Sequence, residues 1–299
     1  MAARSRSADS LRAIAEVPLA DGYALVLGVQ DGDPRHAVHL VAGRDGTDRE
    51  PLDDPGFAAA LLRAMGAPAD VERAAPLRGE QTNTSIVVGL AGGAELVVKL
   101  FRTVQHGENP DVELQQVLSD AGADFVPRFA GALEADWTDP DGATGRGHLA
   151  VAQEFVRGAT DGWVLATRAA ASDDSFAGHA RALGRTTARM HAMLAERLPT
   201  TTPSPDAIAA QSMLWRTRLE EAASAVPVIE ADRGAIEAAY DAARGAEWPA
   251  LQRIHGDLHL GQVLHREGRW VVLDFEGEPL RSLAERIAPE PALRDIAGM

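Results

Sequence analysis

Three side chains near the end of the chain suit a single reaction. Asp257 and Gln262 stand five residues apart in His255-Gly256-Asp257-Leu258-His259-Leu260-Gly261-Gln262, and Asp274 follows twelve residues later in Asp274-Phe275-Glu276. A carboxylate can take the proton of an attacking hydroxyl. A second carboxylate and an amide oxygen can hold Mg²⁺, a hard cation that keeps several waters and takes few protein ligands. Phosphoryl transfer asks for little more, since it depends on positioning and charge neutralisation rather than on covalent help. Asp257 is therefore the candidate base, and Gln262 and Asp274 are the candidate metal ligands. Asp274 closes the apolar run Trp270–Leu273, which places it at a strand end. A short strand pair between Gln262 and Asp274 brings the three together.

The spacing is that of the kinase catalytic loop H-R-D-x-x-x-x-N, with Gly256 for Arg and Gln262 for Asn, and Asp274-Phe275-Glu276 stands for D-F-G. A kinase also needs a lysine for the nucleotide phosphates. Lys99 ends the β-rich run Glu95-Leu96-Val97-Val98-Lys99, in the manner of the V-A-I-K strand. Its acidic partner is expected on the next helix. Glu113 is the choice there, ahead of Glu108 and Asp111, which read as charges complementing the helix N-terminus. Gly79-Glu80-Gln81-Thr82-Asn83-Thr84-Ser85 lies where a phosphate-covering loop belongs, although it lacks G-x-G-x-x-G; Ser85 is its candidate nucleotide contact. Backbone groups of Glu154-Phe155-Val156, and so Glu154 and Val156, are candidates for holding adenine. His255, His259 and His265 match no zinc motif, and His255 reads as scaffold for the loop.

These residues need elements to position them. Tyr23–Val29 and Ala37–Val41 read as strands around the turn Asp31-Gly32-Asp33-Pro34, and Phe57–Met65 as a short helix. Ser85–Leu90 and Glu95–Phe101 read as a hairpin. A helix capped by Asn109-Pro110 runs to about Ser119. Two strands follow, Phe129–Glu134 and His148–Phe155, with Asp136–Gly147 as a polar loop between them. Beyond Gly158 the pattern turns helical over Asp161–Ala171, Asp174–Arg197, Pro205–Ala225 and Ala231–Arg244. It returns to β character at Arg253–Leu264 and Arg269–Phe275. The expected architecture is α+β, a protein-kinase-like bilobal fold with an N-terminal α+β cap. Its expected parts are a cap over residues 1–76, an N-lobe over 77–157 and a helical C-lobe with the catalytic loop over 158–299.

Composition narrows the partners. The 299 residues carry 44 acidic and 29 basic side chains, for a net charge of −15, which argues against a nucleic-acid binder. With no cysteine, disulfides and thiolate metal sites are excluded. The basic start Met1–Ser7 is followed by no apolar segment of signal-peptide type, and no apolar run approaches the ~18 residues of a membrane span. A cytoplasmic, ATP-using protein is the expectation.

Together these motifs resemble the bacterial maltokinases, within the aminoglycoside and choline kinase-like phosphotransferases. The resemblance rests on His255–Gln262 with Asp274-Phe275-Glu276-Gly277-Glu278-Pro279, and on Gly79–Ser85, Val98-Lys99-Leu100-Phe101-Arg102 and Gly107–Glu113. Ala152–Val156 and Arg294–Met299 add to it. It covers roughly residues 77–299 and implies ATP-dependent, Mg²⁺-dependent phosphorylation of a small sugar. Maltose to maltose 1-phosphate is the first expectation. Glucosamine, giving glucosamine 6-phosphate as in the similar actinobacterial glucosamine kinases, is the alternative, and an inactive nucleotide-binding pseudokinase or an antibiotic phosphotransferase is a further one. Relative to that family the cap is short, and the chain stops at Met299, where members continue with helices that complete the sugar pocket. The expectation is a C-terminally truncated kinase in which the helix begun by Arg294-Asp295, the usual support of the catalytic loop, has no room to form.

Overall fold

The computed structural model describes residues 11–30, 37–44, 49–77, 83–279 and 281–299. The turn Asp31–Pro34 and the first four residues of the Gly79–Ser85 segment lie outside the described residues. Strands β1 (Arg12–Pro18), β2 (Tyr23–Val29) and β3 (Val38–Arg44) form an antiparallel sheet, closed at its far edge by the short β7 (Thr103–Val104). β1 has no counterpart in the sequence expectations. Its side chains are exposed or half-exposed, so its own pattern is weak, and pairing with β2 makes it a strand. Helix α1 (Pro55–Ala64) starts where Asp54 accepts the Gly56 N–H at 2.8 Å, and it buries Phe57, Leu61 and Leu62.

The second sheet has the order β4-β5-β6-β9-β8, from β4 (Val71–Pro76), β5 (Thr84–Leu90), β6 (Glu95–Leu100), β8 (Phe129–Thr138) and β9 (Thr144–Glu154). β4 pairs with β5, so this sheet takes in residues on the cap side of the division expected at 76/77. The loop expected over Asp136–Gly147 is mostly strand. Arg146 reaches Asp136 at 2.9 Å, and the Thr138 and Thr144 hydroxyls meet at 3.0 Å, so polar side chains pair across two exposed strands. One apolar core unites both sheets, with Leu25, Leu40, Phe57, Ile86, Val98 and Leu149 buried in it.

Helix α2 (Pro110–Asp120), capped by Asn109, contributes Val112 to that core and Leu114 and Leu118 to a second one. The second core joins α2 to α4 (Ala177–Arg197) through Met190 and Leu194, and to Val263, Trp270 and Phe275. The three-stranded sheet of β10 (Thr160–Asp161), β11 (Val263–Arg266) and β12 (Arg269–Val272) sits beside α3 (Gly162–Ala171). Helices α5 (Pro205–Ala225) and α6 (Arg233–Gly245) pack on each other, and α7 (Leu283–Ile287) and α8 (Leu293–Gly298) follow the hairpin. Two expectations are corrected. The β character foreseen at Arg253–Leu264 is confined to its end, because Gly256 takes φ 82° and residues Leu260–Gln262 form a 3-10 turn. The helix said to have no room after Arg294-Asp295 does form, as α8. Among the described residues no helix is long and apolar enough to cross a membrane.

Gly162 opens α3 directly against the turn that carries Gln262. A Cβ here would stand 2.7 Å from the Leu260 carbonyl oxygen and 2.7 Å from Val263 Cγ2. Backbone on one side and a β-branched side chain on the other leave no easy retreat. Gly162→Val is expected to destabilise the fold by about 1–3 kcal/mol through overpacking, seen as a lower midpoint in thermal unfolding. An unchanged midpoint would show that this turn yields.

Candidate active site

A cleft of about 580 Å³ opens between the five-stranded sheet and the β11–β12 hairpin. Ser85 and Lys99 line it from the sheet, Glu154 and Val156 from the segment joining the two halves, and Asp257, Gln262 and Asp274 from the hairpin side. The strand period explains the sheet wall. Along β6, Leu96, Val98 and Leu100 point into the core, so Val97 and Lys99 face the cleft. Of the residues predicted from sequence, Glu113 is the one that does not line it.

Lys99 Nζ lies 3.0 Å from Asp111 Oδ2, 2.6 Å from Asp274 Oδ1 and 2.5 Å from Glu276 Oε1. Burial opposes its charge, but Asp111, Asp274 and Glu276 outweigh that and hold its pKa well above the ordinary lysine value. The expected Lys99–Glu113 pair is therefore corrected to Lys99–Asp111. Glu113 instead pairs with Arg253 just ahead of the catalytic loop. Residues two apart on a helix project some 200° apart, so α2 can present only one of these acids to the lysine. Asp111 does more than pair: its Oδ1 accepts the Phe275 N–H at 2.8 Å, which ties α2 to the backbone of Asp274-Phe275-Glu276. Asp111→Asn keeps a carbonyl for that N–H but removes the charge beside Lys99. A charge-assisted bond is worth about 1.5–3 kcal/mol, so KM for MgATP is expected to rise about tenfold or more. Glu113→Gln should leave KM nearly unmoved, and a larger KM effect there would reverse the assignment.

Asp274 holds φ 63°, a left-handed conformation that aspartate tolerates better than most residues and that is common at functional turns. Burial opposes its ionisation, yet the Lys99 ammonium beside it keeps its carboxyl below the usual range. Gln262 lines the cleft together with Asp274. The Asp274 carboxylate and the Gln262 amide oxygen are both hard oxygen donors. Two oxygen donors converging in this way fit Mg²⁺.

The loop bearing Asp257 is held from beneath. The Asp295 carboxylate, only 1 % exposed, accepts the His255 N–H at 2.9 Å and the Gly256 N–H at 2.8 Å. Its Oδ2 also meets His191 Nε2 at 2.8 Å. His255 acts as the scaffold foreseen: Nε2 lies 2.8 Å from the Leu273 carbonyl, which can only accept, so Nε2 donates there and Nδ1 faces the Asp257 N–H at 3.4 Å. The ring thus joins the loop to β12's end. Burial raises the Asp257 pKa, an effect opposed by His259 and His255. Sequence reasoning missed the support given by His191 and the meeting of Asn83 with Glu276. Asn83 Nδ2 donates to Glu276 Oε1 at 2.5 Å across the cleft. No local pattern marks such a pair, which lies 193 residues apart.

A lysine, two oxygen ligands and a carboxylate at one cleft between a sheet lobe and a helical lobe define a kinase-type phosphotransferase site. The family model described as the phosphotransferase enzyme family matches residues 73–277, and the chain belongs to that family. The chain is thus an enzyme of phosphoryl transfer, and ATP with Mg²⁺ is its phosphoryl donor. It is 33% identical to a glucosamine kinase of Streptacidiphilus jiangxiensis over 97% of this chain and 71% of that protein. It is 29% identical to one of Mycolicibacterium smegmatis (strain ATCC 700084 / mc(2)155) over 94% and 74%. Among solved structures, a glucosamine kinase superposes with a TM-score of 0.72 at 26% identity, covering 99% of this chain and 74% of the other. Another, in complex with glucosamine, ADP and inorganic phosphate, has a TM-score of 0.69 at 27% identity, covering 99% and 74%. The protein-kinase-like bilobal fold expected from the sequence is the one observed.

Proposed function

We propose that the chain transfers the γ-phosphate of ATP to a hydroxyl of glucosamine. The observation that carries this is the meeting of Lys99, Gln262, Asp274 and Asp257 in one cleft. Glu154 and Val156 offer backbone groups to the base, because Phe155 between them spends its N–H on Glu95 and its carbonyl on Arg157. Lys99 holds phosphate oxygens, and Ser85 lies beside it at the same wall. Gln262 and Asp274 hold Mg²⁺, which neutralises charge developing on the phosphates. Asp257 orients the acceptor hydroxyl and takes its proton. Transfer breaks the bond between the γ-phosphorus and the bridging oxygen, forms the bond to the sugar oxygen, and leaves ADP.

Glucosamine is preferred to the maltose that the sequence put first. Both curated relatives above and the structures superposed on this chain are named for glucosamine. The test is ADP release by the purified chain with MgATP and each sugar, followed by identification of the product by NMR. Saturable turnover with glucosamine is expected. Preferential phosphorylation of maltose would replace the acceptor, and ATP binding without turnover on either sugar would favour a binding role.

A further inference from the structure

Building on the phosphate site as assigned above, we propose that Glu276 serves as an internal substitute for a phosphate oxygen, competing with the nucleotide for Lys99 and Asn83 and thereby setting nucleotide affinity. Glu276 stands at the position where the kinase D-F-G motif has glycine, which has no side chain to offer. Its Oε1 forms an ion pair with Lys99 Nζ and accepts from Asn83 Nδ2, each at 2.5 Å. An ammonium and an amide N–H converging on one oxygen are the donor set a phosphate oxygen calls for. Both donors belong to the sheet side of the cleft and Glu276 to the hairpin side, so the contact bridges the cleft where the phosphates must enter.

The neighbouring contacts make this bridge exchangeable. Asn83 is oriented independently, since its Oδ1 accepts the Arg102 N–H at 3.2 Å, which leaves its NH₂ group aimed at the cleft. The Glu276 carbonyl accepts from Arg286 Nη1 at 3.0 Å, so the backbone stays anchored when the side chain leaves. Asp111 has another duty, on the Phe275 N–H. Three carboxylates around one ammonium over-neutralise it, and a polyphosphate arriving there repels the carboxylate that already holds the same donors. Nucleotide binding must therefore part Glu276 from Lys99, and the contact re-forms as ADP departs.

The experiment is calorimetry of MgATP, MgADP and adenosine binding to the full chain and to Glu276→Gln, with thermal unfolding as the check of fold. Removing a competing state raises apparent affinity by the fraction it had occupied; about tenfold tighter binding of MgATP and MgADP is expected, with adenosine unchanged. Combined with Lys99→Met, the gain should vanish, because the contested donor is gone. Unchanged affinity in Glu276→Gln overturns the proposal. Weaker affinity also overturns it and makes Glu276 a metal ligand, a role open to it because Asp111, Asp274 and Glu276 present oxygens within 4.8 Å of one another. Should Glu276→Gln fail to fold, Glu276→Ala is read by the same signs. Lys99→Met alone with wild-type MgATP affinity would instead remove the phosphate site itself, and the present proposal with it.

Discussion

Asp257→Asn is expected to fold, to bind MgATP as the parent does, and to lose about two to four orders of magnitude in kcat, the range general-base catalysis contributes. The amide is nearly isosteric with the carboxylate but cannot take the acceptor's proton. The loop around it should not shift, since its backbone is held by Asp295 and His255 rather than by Asp257. A pH signature goes with the loss. Burial raises the Asp257 pKa, so the acid limb of kcat/KM lies above that of an ordinary aspartate. Below that limb the carboxyl is protonated and cannot accept. In the variant that limb should disappear. Near-parental kcat in Asp257→Asn, measured by ADP release, would take the residue out of the base role.

Asp295→Ala is the most disruptive substitution foreseen for stability. It strands the His255 and Gly256 N–H groups and His191 Nε2 in a buried site. Breaking a buried charged network by deleting one partner costs about 3–5 kcal/mol, so a large fall in the midpoint of unfolding is expected, together with loss of activity as the Asp257 loop loosens. The same carboxylate predicts acid sensitivity. Burial opposes its ionisation, yet the His191 hydrogen bond and the neighbouring donors keep its folded pKa below the ordinary value. A depressed folded pKa means the stabilisation is present above the unfolded pKa and is lost as pH falls through the folded one. Urea unfolding across the acid range should therefore show a steeper loss for the parent than for Asp295→Asn. Equal slopes would show that Asp295 does not titrate with unfolding.

The chemistry was legible because it is written in short spacings. Asp257 and Gln262 are five residues apart on one loop, Asp274 sits one hairpin later, and a local turn and a β11–β12 pair suffice to align them. Lys99 was legible because alternation along β6 assigns it the face opposite Leu96, Val98 and Leu100. Asn109-Pro110 marked a helix start, since a side-chain acceptor followed by a residue lacking an N–H is a local device. The missed strand β1 and the understated hairpin β8–β9 share a cause. The missed stretches carry mostly exposed or half-exposed side chains, Trp137 apart, so their apolar pattern is weak, and pairing with partner strands makes them regular.

What the sequence determined by itself is the set of reacting groups and the kind of elements that bear them, for these follow from side-chain chemistry, local caps and periodicity. Only the tertiary structure decided which groups meet. Asp111 rather than Glu113 faces Lys99, because α2 is rotated by seating Val112 in one core and Leu114 and Leu118 in the other. Asn83 meets Glu276 across the two lobes, and His191 on α4 meets Asp295 on α8 within the helical lobe, over 193 and 104 residues of chain. Such pairings depend on packing summed over both cores, and no window of sequence contains that sum.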